Sequence, residues 1–183
     1  MNDILIIDNV ISKNEQELIK ELLFSNKFAW FFQKDVTNAN KKQSQGRPAF
    51  SHYFINESGV NSDYVNILTN IVANGAKKIK IGPDVKILFA KTILQLPLNS
   101  KKQKVDTAHI DLAEKHLVFL YYVLDNEAKT IIYKNTKKSK KLIELKKIKP
   151  KQGRLVIFNG SHYHTAEQPT KNTRCIINFD ISI

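Results

Sequence analysis

Arg154-Leu-Val-Ile-Phe-Asn-Gly-Ser-His-Tyr-His-Thr-Ala166 carries the pattern that decides the fold. Two short β-type runs, 154–158 and 162–166, are separated by Asn159-Gly160, a dipeptide suited to a tight turn. The same punctuation continues in both directions. Upstream lie runs at 85–96, 104–110, 116–124, 130–133 and 142–148, and downstream lies 174–182. Pro97, Pro150-Lys-Gln-Gly153 and Pro169 mark further turns. Seven or eight short strands without intervening helical runs predict an all-β sandwich or barrel.

The N-terminal part, about 1–84, has a different period. Ile4-Leu-Ile-Ile7 reads as a short strand. Ser12-Lys-Asn-Glu15 has capping-box spacing, in which Ser and Glu each satisfy a free backbone N–H. Leu18, Ile19, Leu22 and Leu23 follow at helical spacing, so a helix is expected over 13–25. A second is expected over 62–74, with Ser62 as N-cap, Ile67, Leu68, Ile71 and Val72 on one face, and Gly75 as its stop. Between them, 37–48 is a polar loop. The expectation is therefore mainly β with flanking α, two N-terminal helices decorating a β core at about 85–183, within one domain spanning 1–183.

The 183 residues suit a single domain, with 42% hydrophobic and 25% charged residues, near soluble averages. The apolar stretches fall far short of the roughly 20 residues that span a bilayer, and no basic region leads an apolar one at the N-terminus. A lone Cys175 excludes an internal disulfide and a Cys-based zinc cluster. A soluble protein of the cytoplasm is the expectation. The net charge of +12 invites a nucleic-acid reading. Yet only Arg47, Arg154 and Arg174 among the 29 basic residues are Arg, whereas base-edge recognition favours the planar guanidinium. The nine lysines between Lys134 and Lys151 read as a solvated basic hairpin.

The chemistry concentrates in the β-rich half. In an extended segment residues i and i+2 share a face, so His109 and Asp111 can reach one metal ion. His162 and His164, which share parity with each other, come about fifty residues later, and Arg174 follows in the final run. Two imidazoles and one carboxylate with open coordination positions form the donor set of non-heme Fe(II) oxygenases, and the Arg174 guanidinium can fork onto a carboxylate.

At this point the chain resembles the 2-oxoglutarate/Fe(II)-dependent dioxygenases, particularly prolyl 4-hydroxylase-like members and short bacteriophage-encoded versions. The matching residues are His109-Ile-Asp111, Phe119-Leu-Tyr-Tyr-Val-Leu124, Thr130-Ile-Ile-Tyr133, Gly153-Arg-Leu-Val-Ile-Phe158, Tyr163-His164 and Arg174-Cys-Ile-Ile-Asn-Phe179, with Phe28-Ala-Trp-Phe-Phe32 and Phe50-Ser-His-Tyr-Phe54 looser.

The resemblance implies a double-stranded β-helix (a cupin-like jelly roll). It implies Fe(II) held by His109, Asp111 and His164, and 2-oxoglutarate anchored by Arg174 and contacted by Tyr122. It also implies ascorbate as an optional reductant, and a small-molecule or peptide substrate. The activity implied is hydroxylation coupled to conversion of 2-oxoglutarate to succinate and CO₂, in a host cytoplasm if the chain is virus-encoded. Leu96-Pro97 stands where the prolyl hydroxylases tend to have Tyr-Pro, and Leu124 where an Asn commonly follows the tyrosine pair. The rival readings are a jelly-roll metal-binding module without turnover and a nucleic-acid-binding module. His52 reads as a core or surface histidine, Trp30, Phe31 and Phe32 as packing between helix and sheet, and Cys175 as a buried residue facing away from the iron.

Overall fold

A computed structural model describes residues 4–34, 47–82, 85–98 and 105–183. A large antiparallel sheet runs β1 (Leu5–Ile7), β9 (Leu155–Asn159), β6 (His116–Tyr122), β11 (Arg174–Ser182), β5 (Ile87–Gln95), β3 (Ala49–Asn56), β2 (Phe31–Gln33), with β4 (Gly59–Val60) paired to β3. A smaller sheet runs β10 (His164–Ala166), β7 (Thr130–Tyr133), β8 (Glu144–Ile148). Single antiparallel bridges, Val105 to Glu167 and His109 to His164, add the segment 105–109 beside β10. From β5 onward the chain passes between the two sheets at every step except β7 to β8, the winding of a double-stranded β-helix. The expected run at 104–110 is thus two isolated bridges in place of a continuous ladder; its first residue lies outside the described residues.

Strand alternation sorts the core into two layers. Val118, Leu120, Tyr122, Val156, Phe158 and Ile176 point between the sheets and meet Ile132 and Ile148. Their neighbours Phe119, Tyr121, Leu155, Cys175, Ile177 and Phe179 point outward and are covered by the helices. A fully buried Phe or Leu contributes about 1.5 to 3 kcal/mol, so both layers stabilise the central strands β6, β9 and β11.

Helix α1 (Lys13–Leu23) starts at the expected capping box: the Ser12 side chain accepts from the Glu15 N–H, and the Ser12 N–H donates to Glu15 at 2.9 Å. Ile19 and Leu23 are buried, but Leu18 is 64% exposed and falls outside the apolar stripe. A 3₁₀ turn (Val65–Leu68) leads into α2 (Thr69–Lys78). Ser62 is not the N-cap expected: Leu68 precedes α2 and Tyr64 the 3₁₀ turn, neither with a side-chain capping bond, and the Ser62 hydroxyl accepts from the Tyr64 N–H at 3.3 Å just ahead of the turn. Gly75 does not stop α2. A Cβ there would fall 2.6 Å from the Phe119 ring and 2.7 Å from a Leu155 methyl, so the glycine lets the helix close on the sheet.

The N-terminal part holds more strand than expected. β3 adds eight residues to the large sheet, pairing Phe50 with Leu94 and Ser51 with Ile93. His52 is a core histidine: it touches the Ala29 carbonyl and Ser62 Oγ, each at 2.8 Å, and packs against Phe28 and Phe54. Trp30 joins the outer core and donates to the Leu23 carbonyl. Phe31 and Phe32, expected to pack helix on sheet, are 58% and 63% exposed on the short edge strand β2. Residues 37–46 of the expected polar loop lie outside the described residues. Lys137 to Lys141 are exposed, as expected for a solvated hairpin. No described helix is long and apolar enough to cross a membrane.

Candidate metal centre

The bridge between His109 and His164 builds the site. Each backbone N–H donates to the other residue's carbonyl, at 3.0 and 2.9 Å, so the two histidines sit opposite each other at the end of the small sheet. Their ring centroids are 4.8 Å apart. His109 Nδ1 donates to the Thr107 carbonyl at 3.0 Å, and His164 Nδ1 donates to the His162 carbonyl at 3.2 Å. Those bonds place the proton of each neutral ring on Nδ1 and leave the Nε2 lone pair free for a metal.

Both Nε2 atoms face Asp111, at 3.6 Å for His109 and 3.2 Å for His164. One ligand atom from each of the three residues lies within 4.8 Å of the others. Burial opposes the charge on Asp111, but the two imidazoles hold its carboxyl well below the usual range. Burial likewise opposes a charged His109, yet the Asp111 carboxylate raises it above the ordinary imidazole value. Three converging donors with this mutual attraction are what a divalent cation would replace, which fits the donor set to a metal. Asn178 Nδ2 donates to Asp111 at 3.4 Å and fixes the carboxylate from β11.

The triad opens into a cleft of about 80 Å³ between the sheets. Arg174 lies at its other end, buried, with Nη1 donating to Gln95 Oε1 and Nη2 to Thr130 Oγ1, both at 3.0 Å, while Nε has no partner. Tyr122 is wholly buried behind this end and does not line the cleft; its hydroxyl donates to Thr130 Oγ1 at 2.7 Å. Cys175, the next residue along β11, faces the outer core. His162 is not part of the triad and donates from Nδ1 to the Tyr133 carbonyl at 2.8 Å.

No protein-family model and no curated protein sequence matches the chain significantly. Solved structures do. A 2OG-Fe(II) oxygenase family oxidoreductase from Burkholderia pseudomallei superposes with a TM-score of 0.71 at 10% identity, over 98% of this chain and 84% of that one. This is the fold of the 2OG-Fe(II) oxygenases. The viral collagen prolyl hydroxylase of Paramecium Bursaria Chlorella virus-1, solved as a 2OG complex, matches at 0.60 and 14% identity over 98% and 96% of the two chains. A prolyl hydroxylase from Trichoplax adhaerens, solved with a hypoxia inducible factor peptide, matches at 0.62 and 14% over 100% and 84%.

Within the 2OG-Fe(II) oxygenase fold, the structure brings His109, Asp111, His164 and Arg174 to one cleft and sets Tyr122 one hydrogen bond behind it. It adds Gln95, Thr130, Lys91, Asn178 and Asp106, which sequence reading passed over. Parity along β5 and β11 carried a signal for three of them: Lys91 and Gln95 are in phase with Ile93, and Asn178 with Arg174. Asp106 follows a stretch where no alternation is visible.

A second group, Asp111, His116 and Asp180, adjoins the triad. Burial and the neighbouring Asp111 charge push the Asp180 carboxyl up to about 8. His116 is buried, with Nδ1 on the Glu114 carbonyl at 2.7 Å and its face against Gly160. It supports the wall behind the triad.

Proposed function

We propose that this protein is an Fe(II)- and 2-oxoglutarate-dependent dioxygenase that hydroxylates its substrate. The observation that carries the reading is a single cleft with the His109–Asp111–His164 donor set at one end and the partly unpartnered Arg174 guanidinium at the other. His109 and His164 would hold the iron through Nε2 and Asp111 through a carboxylate oxygen. Arg174 binds the far carboxylate of 2-oxoglutarate by charge-assisted hydrogen bonds, and Thr130, itself held by Tyr122, orients Arg174. When bound, the iron and 2-oxoglutarate supply the oxidation: one atom of O₂ goes to succinate as CO₂ is released, and the other goes to the substrate.

The apolar walls at Ile93, Leu120 and Ile176 keep water from the reacting end. Two of the structural neighbours are prolyl hydroxylases, one of them solved with a peptide, which supports a peptide or small-molecule substrate reaching the metal from the mouth beside His109, whose side chain is 38% exposed.

The test is succinate release in Fe(II), 2-oxoglutarate and O₂, together with an anaerobic visible band on adding Fe(II) and 2-oxoglutarate. Asp111→Ala should abolish both. Product screening against peptides, nucleotides and amino acids, scored by the gain of one oxygen atom, then names the substrate. A wild-type protein that forms the band but never releases succinate would favour a binding module without turnover.

A further inference from the structure

An acid lines the cleft at the end where an anion is to bind. Asp106 is buried, and its carboxylate is linked to Arg174 through one side chain: Arg174 Nη1 donates to Gln95 Oε1 at 3.0 Å, and Gln95 Nε2 donates to Asp106 Oδ2 at 3.2 Å. A carboxylate at that position repels an incoming carboxylate and draws on the Arg174 charge.

The other Asp106 oxygen is engaged from outside the β core. Arg47 Nη1 lies 2.9 Å from Asp106 Oδ1, a charge contact without hydrogen-bond alignment, with the two side chains only 8% and 3% exposed. The Arg47 guanidinium is itself fixed, since Nη1 also donates to Gln168 Oε1 at 3.0 Å, and Gln168 Nε2 is anchored on the Leu96 carbonyl at 3.1 Å. Among the described residues, two guanidinium groups and one carboxylate leave this end of the cleft with a net charge of one positive unit.

We propose that Arg47 is the charge-balancing residue of the cosubstrate subsite: by neutralising Asp106 it reserves the Arg174 charge for a single carboxylate of the ligand. The inference rests on the assignment of Arg174 above. Its consequence is a subsite matched to a monoanionic group, with affinity set by a residue that does not line the cleft. Burial pushes the Asp106 carboxyl up from its ordinary value, while Arg47, Gln95 and Arg174 oppose that rise, so the balance depends on the pair staying together. Arg47 is a positioning residue; it touches no reacting atom.

The test is calorimetric binding of 2-oxoglutarate to the full chain loaded with Mn(II), at about pH 8, which favours the ionised form of the raised Asp106 carboxyl. Arg47→Met should weaken 2-oxoglutarate roughly tenfold or more, the scale of one charge-assisted contact. It should leave 2-oxobutyrate, which lacks the distal carboxylate, unchanged. Adding Asp106→Asn to Arg47→Met should restore wild-type affinity, a rescue that a merely structural Arg47 would not show. Unchanged binding in Arg47→Met overturns the proposal, and so does a loss that Asp106→Asn fails to rescue. If Arg47→Met does not fold, Asp106→Asn alone decides: equal or tighter binding is expected, and weaker binding overturns it. A wild-type protein that binds no 2-oxoglutarate removes the Arg174 assignment and this proposal together, whereas wild-type binding with an unaltered Arg47→Met removes only the latter.

Discussion

Thr130→Val is close to isosteric and removes a single oxygen, yet that oxygen accepts two buried hydrogen bonds. Tyr122 Oη donates to it at 2.7 Å and Arg174 Nη2 at 3.0 Å, and Thr130 is 2% exposed. A buried donor left without a partner costs about 1 to 3 kcal/mol, the upper part of that range applying to a charged group. The two losses sum to about 3 to 5 kcal/mol, offset by about 1 kcal/mol for the extra apolar surface of Val. Water entering from the cleft relieves part of the Arg174 loss, so the net expectation is a destabilisation of about 2 to 3 kcal/mol. Urea unfolding of the metal-free protein, with an unchanged slope, reads this directly. In a Tyr122→Phe background the same substitution orphans only Arg174, so its cost should fall by about 1 kcal/mol, a coupling that a double-mutant cycle isolates. A cost below about 0.5 kcal/mol, or a cycle with no coupling, would refute Thr130 as the shared acceptor.

Other perturbations separate neighbouring roles. His164→Ala should lose Co(II) or Mn(II) binding in metal titrations, because two donors hold the ion poorly, whereas His162→Ala should keep it; the reverse result would place the donor set two residues upstream. Gly75→Ala should destabilise by about 1 to 3 kcal/mol despite the better helix propensity of Ala, since its Cβ meets the rigid Phe119 and Leu155 side chains; a rise in melting temperature would contradict that packing. Glu127 is held down to about 2: burial acts against this, but N–H groups of Lys171 and Thr170 donate to it at 2.8 and 2.7 Å. A depressed carboxyl gives stability that is full above its unfolded value and is lost as pH falls from about 4.5 toward about 2. After discounting for solvent, Glu127→Gln should remove about 1 kcal/mol of stability at neutral pH and flatten that acid limb; parallel acid limbs would show that the bonds are absent.

The C-terminal half was legible because its runs are short, apolar and separated by turn residues, and 130–133 and 174–182 are strands at those bounds. Parity put His109 and Asp111 on one face, but His162 and His164 share parity, so His164 and Arg174 could be named only through the resemblance to the 2-oxoglutarate/Fe(II)-dependent dioxygenases. Parity does not say what lies behind that face, so Tyr122 reads as a cleft residue until Thr130 is seen between it and the ligand space. β3 was missed although Phe50, His52 and Phe54 alternate with Ser51 and Tyr53, because its polar lead-in reads as loop. Leu18 illustrates the complementary error: helical spacing admits it to the stripe, and only the position of the sheet leaves it outside. Arg47 and Asp106, a pair 59 positions apart, meet through tertiary folding, which no local pattern announces.

Cys175 gives the protein a built-in reporter. It is the only thiol in the chain, wholly buried on β11 between β5 and β6, and desolvation pushes it up to about 12. The thiolate is the reactive species, so an alkylating reagent finds almost nothing to attack while the strand is seated. Modification then proceeds only through openings that expose the middle of the large sheet, and its rate clocks those openings without any engineered label. Mass spectrometry of timed alkylation, with and without divalent metal and 2-oxoglutarate, would measure how far ligands tighten the scaffold at its centre, some distance from where they bind.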